Sequence, residues 1–318
     1  MRMNEFTLID TYFAPLAGDA LDNDGAVLAV PEGRELVVSS DVLNEGVHFL
    51  VGESGRNVAQ KALRVNVSDL ASMGARPLAY QLGLALPQGW MADEREAWVK
   101  DFAEGLAADQ AEFGITLSGG DTTSIMGGVS VSITVFGTVE TGGVIGRGGA
   151  RDGDLMVLTG CVGDAFVGLQ ALLRQVEVED ARFVEAYLRP TPRVALVDAM
   201  RGYVRAAADV SDGLIADVGH IAKASGVRAV VTEMAFSDAA FDLVEAGAVG
   251  VSDLLSGGDD YELVMAVAPG DYDAFAAAAK DAGVDVQVIG RFEAGDGVRV
   301  LDADGAPIEI DQAGWQHF

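Results

Sequence analysis

Cysteine is almost missing from this chain: of 318 residues only Cys161 carries a thiol, and histidine occurs three times. An intrachain disulfide is therefore impossible, and a cysteine–histidine zinc site lacks ligands. Basic residues are scarce as well. Lysine and arginine number 21 against 49 aspartates and glutamates, a net charge of −28. That balance speaks against nucleic acid or an anionic membrane as a partner. It leaves an anionic substrate open, because bound metal ions invert a local field. No apolar run reaches membrane-spanning length, and Phe6-Thr7-Leu8-Ile9 is too short a run for a secretory signal. Together with the cysteine count this predicts a cytoplasmic protein. No glycine precedes any lysine, so the phosphate loop Gly-x-x-x-x-Gly-Lys is missing, as are Asp-Phe-Gly, His-Arg-Asp and a dinucleotide fingerprint. Phosphate chemistry in such a chain has to lean on divalent ions. Cys161, with no histidine nearby in sequence, reads as a small buried residue.

What the chain does have is aspartate at the ends of apolar runs. In Leu117-Ser118-Gly119-Gly120-Asp121-Thr122-Thr123 a strand end over 115–117 leads into two glycines that permit a sharp turn and a close backbone approach. Ser256-Gly257-Gly258-Asp259 repeats the pattern. Asp24, Asp41 and Asp209 flank other apolar runs, and Ser39-Ser40-Asp41 offers three oxygen donors in a row. Carboxylates beside hydroxyls suit hard cations. One Gly-Gly-Asp is an ordinary turn with a helix N-cap; the whole set points to a site. Asn66 and Asp69 share a face of a helix expected over 57–73. An aspartate in so apolar a helix needs a metal or a hydrogen-bond network to compensate it. Asp209, Ser211 and Asp212 precede a helix expected over 214–225, where exposed N–H groups favour anions; the plainer alternative is Asp212 as N-cap. Arg147 lies in a glycine-rich stretch, 140–153, that is either a flexible linker or a means of laying an arginine on phosphate.

Strands are expected over 26–30, 35–40, 78–86, 129–139, 155–159, 227–232, 261–267 and 284–289, with helices over 57–73, 93–113, 165–174, 214–225 and 272–282. The alternation gives an α/β (α+β) chain of two domains, 1–148 and 149–318.

The ordered motifs resemble the thiamine-monophosphate kinase family. They are Glu5-Phe6-Thr7-Leu8-Ile9, Ser39-Ser40-Asp41, Gly46-Val47-His48-Phe49, Asn66 to Ala75, Gly119-Gly120-Asp121-Thr122-Thr123, Arg189-Pro190-Thr191-Pro192-Arg193, Asp209-Val210-Ser211-Asp212-Gly213-Leu214, Leu255 to Leu263, and Trp315-Gln316-His317-Phe318. The resemblance implies the two-domain fold shared with aminoimidazole ribonucleotide synthetase, a homodimer whose N-terminal sheets pair into a barrel, and transfer of the γ-phosphoryl of ATP to thiamine monophosphate. It implies that Asp24, Asp41, Asp69, Asp121, Asp209 and Asp212 hold several Mg²⁺ ions, assisted by Ser39 and Ser40. Gly120, Asp121, Arg147 and Ser211 would meet the nucleotide, and His48, Asp259 and Trp315 the thiamine monophosphate. The chain departs from the family at Asp22-Asn23-Asp24, where Gly-Asp-Asp is usual, and at Ser40, where threonine is common. The competing expectations are another enzyme of the same fold, above all aminoimidazole ribonucleotide synthetase, and a nucleotide-binding regulator without catalysis.

Overall fold

A computed structural model describes residues 5–22, 24–310 and 312–316. Asn23, His317 and Phe318, which entered the resemblance above, lie outside the described residues. The chain separates into two compact units, residues 1–70 with 75–142, and residues 71–74 with 143–318.

The first unit is built on a four-stranded sheet. Its strands β1 (Arg34–Asn44), β2 (Arg76–Pro87), β3 (Thr116–Ile125) and β4 (Ser130–Glu140) stand in the order β1-β4-β2-β3, antiparallel except for the β2–β3 pair. One face of the sheet is apolar at alternate positions, as a half-buried sheet requires: Val37 and Leu43 of β1, Val131, Ile133 and Val135 of β4, and Tyr80, Leu82 and Leu84 of β2 are buried. Helices α1 (Gly55–Ser72) and α2 (Ala92–Phe113) add their own apolar stripes, Ala59, Ala62, Leu63, Val67 and Leu70 from α1 and Val99, Phe102 and Leu106 from α2. Asp109 of α2 is wholly buried, accepting hydrogen bonds from Arg64 Nε at 3.0 Å, Arg64 Nη2 at 2.8 Å and Gln60 at 2.8 Å. Burial pushes its carboxyl up, and the Arg64 guanidinium draws it back down.

Two expectations fail in this unit. Residues 26–30 form no strand. Val27 is 97 % exposed, and a β-prone run with no strand to pair with and no surface to cover gains nothing by extending. Nor do Gly119 and Gly120 turn the chain, since β3 runs straight through them. The β2–β3 register slips at this point, so Ser118 is an extra residue between the Tyr80–Leu117 and Gln81–Gly119 pairs. The result is a β-bulge, held by the Ser118 hydroxyl donating to the Tyr80 carbonyl at 2.9 Å. A Cβ at Gly120 would collide with the Leu82 carbonyl oxygen, which is the physical demand for glycine there.

The second unit holds a six-stranded sheet of β5 (Leu155–Thr159), β6 (Val204–Asp209), β7 (Arg228–Val231), β8 (Leu263–Val267), β9 (Val286–Glu293) and β10 (Val298–Val300), in the order β10-β7-β9-β5-β8-β6. Both faces are covered, and the side-chain period of two sends neighbours to different cores. Met156 and Leu158 face the core that contains Val218 and Ile221, whereas Val157 faces the one with Phe275 and Ala279. The α-helices longer than one turn are α3 (Asp164–Leu172), α4 (Ala181–Leu188), α5 (Leu214–Ser225), α6 (Asp238–Glu245), α7 (Val251–Ser256) and α8 (Tyr272–Asp281). The glycine-rich residues 146–150 are docked within this unit and are no free linker. Ala207 N–H donates to the Gly146 carbonyl at 3.0 Å, and the Ser225 hydroxyl accepts the N–H groups of Gly149 and Ala150, each at 3.1 Å.

Candidate active site

In the first unit the oxygen donors fall into separate groups. Ser39, Ser40 and Asp41 sit in the middle of β1 and not at its end. Successive strand residues point to opposite faces. Ser39 and Asp41 turn towards the side on which Val37 is buried, and the Ser39 hydroxyl donates to Asp69 Oδ2 of α1 at 2.5 Å. Ser40 turns the other way, its hydroxyl donating to the Ile133 carbonyl at 3.1 Å and lying 3.0 Å from the Thr134 hydroxyl. Asn66, fully buried, accepts the Asp41 N–H at 3.0 Å and donates to the Ala62 carbonyl at 2.9 Å. The compensation expected for α1 therefore includes a hydrogen-bond network. His48 follows β1, its Nδ1 accepting the Asn44 N–H at 3.0 Å, which places the ring proton on Nε2.

Gly120 and Asp121 lie elsewhere on the same sheet. The pairings Asp41–Ile133, Ile133–Leu82 and Leu82–Gly120 form one row across all four strands. Asp41 is on one edge strand and Gly120 on the other, three strand spacings or about 14 Å apart, and Asp121 falls in the next row, with Gly83, Ser132 and Val42, so its side chain points to the other face. Asp24 is exposed and follows a short 3₁₀ helix, Gly18–Asp22, that packs on β3.

In the second unit three chain segments meet at residues 209–213, and backbone groups make the contacts. Asp259 N–H donates to the Ser211 carbonyl at 2.9 Å, Tyr261 N–H to Val210 at 2.8 Å, and Val210 N–H to Glu262 at 2.8 Å. A Cβ on Gly258 would collide with the Ser211 carbonyl oxygen. Trp315 N–H donates to the Asp212 carbonyl at 2.9 Å. Asp209, Ser211, Asp212, Asp259 and Trp315 are thus assembled around one loop. Asp259 and Tyr261 hold left-handed backbone conformations, with φ of 72° and 52°, a strain of about 1–3 kcal/mol each that the surrounding hydrogen bonds must sustain. Below the loop, Glu262 is clamped by Arg193 and the Thr159 hydroxyl. Asp260 accepts the N–H of Gly163 at 2.8 Å and of Ala165 at 3.3 Å at the start of α3.

Asp212 does not cap α5. The N-cap residue is Gly213, without a side-chain bond. Asp217, one turn into α5, accepts the N–H groups of Ser211 at 3.0 Å and Asp212 at 3.1 Å. Burial pushes its carboxyl well above the usual range. Asp209 and Asp212 push it further, while the hydrogen bond from the Asp212 backbone and the Arg147 charge pull it down. Carboxylate oxygens of Asp212 and Asp217 and a ring nitrogen of His220 lie within 4.8 Å of one another. Sequence reasoning passed over Asp217. The signal was available, since an aspartate among Leu214, Ile215, Val218 and Ile221 poses the same question that Asp69 posed in α1. Cys161 is half-buried, and burial first, then Asp164 and Glu262, push its thiol up, which does not suit a nucleophile.

Among the described residues no helix is long and apolar enough to cross a membrane. Residues 22–139 match the AIR synthase related protein N-terminal domain, and residues 151–303 match its C-terminal domain. The thiamine-monophosphate kinase of Caulobacter vibrioides is 44 % identical over 308 residues, covering 95 % of this chain and 86 % of that protein. The crystal structure of the thiamine-monophosphate kinase from Stenotrophomonas maltophilia K279a superposes with a TM-score of 0.83 at 37 % identity, covering 97 % of this chain and 99 % of the other. The structure of AaThiL complexed with AMPPCP and TMP gives 0.79 at 30 % identity, covering 100 % and 99 %. With both domain types in order and this identity along nearly its whole length, the chain belongs to the thiamine-monophosphate kinase family.

Proposed function

We propose that this chain transfers the γ-phosphoryl group of ATP to the phosphate of thiamine monophosphate, giving thiamine diphosphate and ADP. The observation that carries the reading is the assembly of Asp209, Ser211, Asp212, Asp259 and Trp315 around one loop, in a chain 30 % identical over its full length to a protein solved with AMPPCP and TMP. The acceptor is a phosphate monoester whose second pKa is near ~6, so it is already mostly ionised at neutral pH and needs no general base. An oxygen of that phosphate bonds to the γ-phosphorus as the bond to the β–γ bridging oxygen breaks, and ADP leaves with the electron pair.

The donor set fits Mg²⁺. It consists of oxygens, and in the second unit the carboxylates of Asp209 and Asp212 are close enough to act on the buried Asp217 behind them. Asp24, Asp41, Asp69, Asp121, Asp209 and Asp212 would hold the ions with help from Ser39. Ser40, whose hydroxyl is engaged on the other face, would serve through its backbone carbonyl. Mg²⁺, when bound, supplies the charge neutralisation that two anionic reactants need and aligns them for in-line displacement. In this reading Gly120 lets the backbone approach the nucleotide closely, Arg147 and Ser211 orient its phosphates, and His48, Asp259 and Trp315 hold the thiamine monophosphate.

Partner and place belong to the same proposal. The acting species is a homodimer formed through the N-terminal domain, in the cytoplasm, where ATP is available. Its motive is the strand order of the first sheet, which puts Asp41 and Asp121 on opposite edge strands. Two sheets closing edge to edge into a barrel would bring the β1 strand that carries Asp41 in one subunit to the β3 edge of the partner, and leave no open edge.

The test is a coupled assay of ADP release. ADP is expected only when thiamine monophosphate and a divalent cation are both present, and chelation should abolish it. Equal release without the acceptor, or none with it, overturns the reading.

A further inference from the structure

The loop that gathers the candidate site is held from inside by a residue so far without a role. Both N–H groups that Ser211 and Asp212 turn inward converge on one atom, Asp217 Oδ2, at 3.0 and 3.1 Å. Asp217 is 1 % exposed, and a carboxylate at that depth persists only if its hydrogen bonds are made. The carbonyls of the same two peptide units, those of Val210 and Ser211, face the other way, where Val210 receives Tyr261 N–H and Ser211 receives Asp259 N–H. Each of the two peptide units is therefore fixed on both sides. Neither fixing is available from a helix cap, because α5 begins at a glycine without a side-chain bond.

We infer that Asp217 is a positioning residue for phosphoryl transfer. It sets the angle at which Ser211 and Asp212 meet nucleotide and metal, and acts through their backbone. The inference rests on the function proposed above. Its chemistry is specific: one oxygen atom in one place accepts two N–H groups, and the negative charge is incidental. Asparagine can put an amide oxygen in that place without charge. Glutamate keeps the charge but carries it one methylene further out. Alanine removes the acceptor.

The experiment compares Asp217→Asn, Asp217→Glu and Asp217→Ala in the full chain by amide hydrogen exchange at Ser211 and Asp212 without ligands, by calorimetric binding of ATP with Mg²⁺, and by turnover. Asp217→Asn is expected to keep amide protection, ATP affinity and turnover close to the unsubstituted chain. Asp217→Ala and Asp217→Glu should lose the protection and weaken ATP binding about tenfold, the scale of one or two net hydrogen bonds. If Asp217→Glu keeps function while Asp217→Asn loses it, the carboxylate acts by charge or as a metal ligand and the inference is overturned. It is equally overturned if Asp217→Ala lowers only the melting temperature and leaves protection and ATP affinity unchanged. Should Asp217→Ala not fold, the order of Asp217→Asn and Asp217→Glu decides. Turnover of the unsubstituted chain tests the function by itself, and the exchange measurement decides Asp217 even if that turnover is absent.

Discussion

Trp315 is tied down by its backbone and leaves its indole outside. Its N–H is bonded to Asp212, yet the residue is 55 % exposed. An indole that only anchored the chain end would be buried. An exposed one beside Asp212 is placed to stack on the pyrimidine of thiamine monophosphate or to lie against its cationic thiazolium, an attraction of about 1 kcal/mol or more. Trp315→Ala should therefore raise KM for thiamine monophosphate several-fold and leave KM for ATP and the melting temperature nearly unchanged. Steady-state kinetics with each substrate varied in turn, and a thermal melt, check this; equal weakening of both substrates would assign Trp315 to anchoring. At this scale the sequence offers candidates where a side chain would carry the proposed chemistry, as with the aspartates and Trp315. Where a side chain serves backbone groups, the sequence raises the question of a buried carboxylate and does not answer it. Asp217 bonds two N–H groups, which every residue but proline carries, so nothing in the sequence names the partner.

Two stretches alike in sequence became different elements. Ser118-Gly119-Gly120-Asp121 is a bulge inside β3, and Ser256-Gly257-Gly258-Asp259 is a strained loop laid against residues 209–213. Their glycines answer different neighbours, Leu82 in one case and Ser211 in the other. Tertiary partners made the difference, and no local pattern carries that information. The long periodic elements were legible for the opposite reason. The stripe in α1 and the alternation in β4 are imprints of one buried face, and they appear where the sequence puts them, within a residue or two. Residues 26–30 had the composition of a strand and no partner. Gly258→Ala should destabilise the protein by about 1–3 kcal/mol, the usual cost of forcing atoms into filled space, and lower turnover as the loops part. Gly89, with open space around its Cα, is the control: Gly89→Ala should leave the urea midpoint and the turnover as they are.

For the whole molecule the feature that bears on assembly is the first unit's sheet, with its edge strands β1 and β3. Leu36, Val38 and Val42 of β1 are 41, 51 and 50 % exposed on one face, an apolar row of the kind that marks an interaction surface. Light scattering at micromolar concentration should give twice the 33.0 kDa chain mass, and a monomeric mass would sink the proposal. A mixing experiment asks where the site lies. Asp41→Asn and Asp121→Asn should each be inactive alone. If Asp41 of one subunit works with the partner's Asp121, a mixed dimer carries one site with both substitutions and one with neither, so mixing restores activity. If both residues serve a site within one chain, every site in the mixture is damaged and nothing returns. A ligand set divided between subunits, as proposed, would also make dilution an inhibitor. A chain that held half of each ligand set would have no activity of its own to lose, so below the dimer's dissociation constant, rate per chain should fall with concentration by mass action. Excess ATP and Mg²⁺, binding only the joined form, would pull the halves back together.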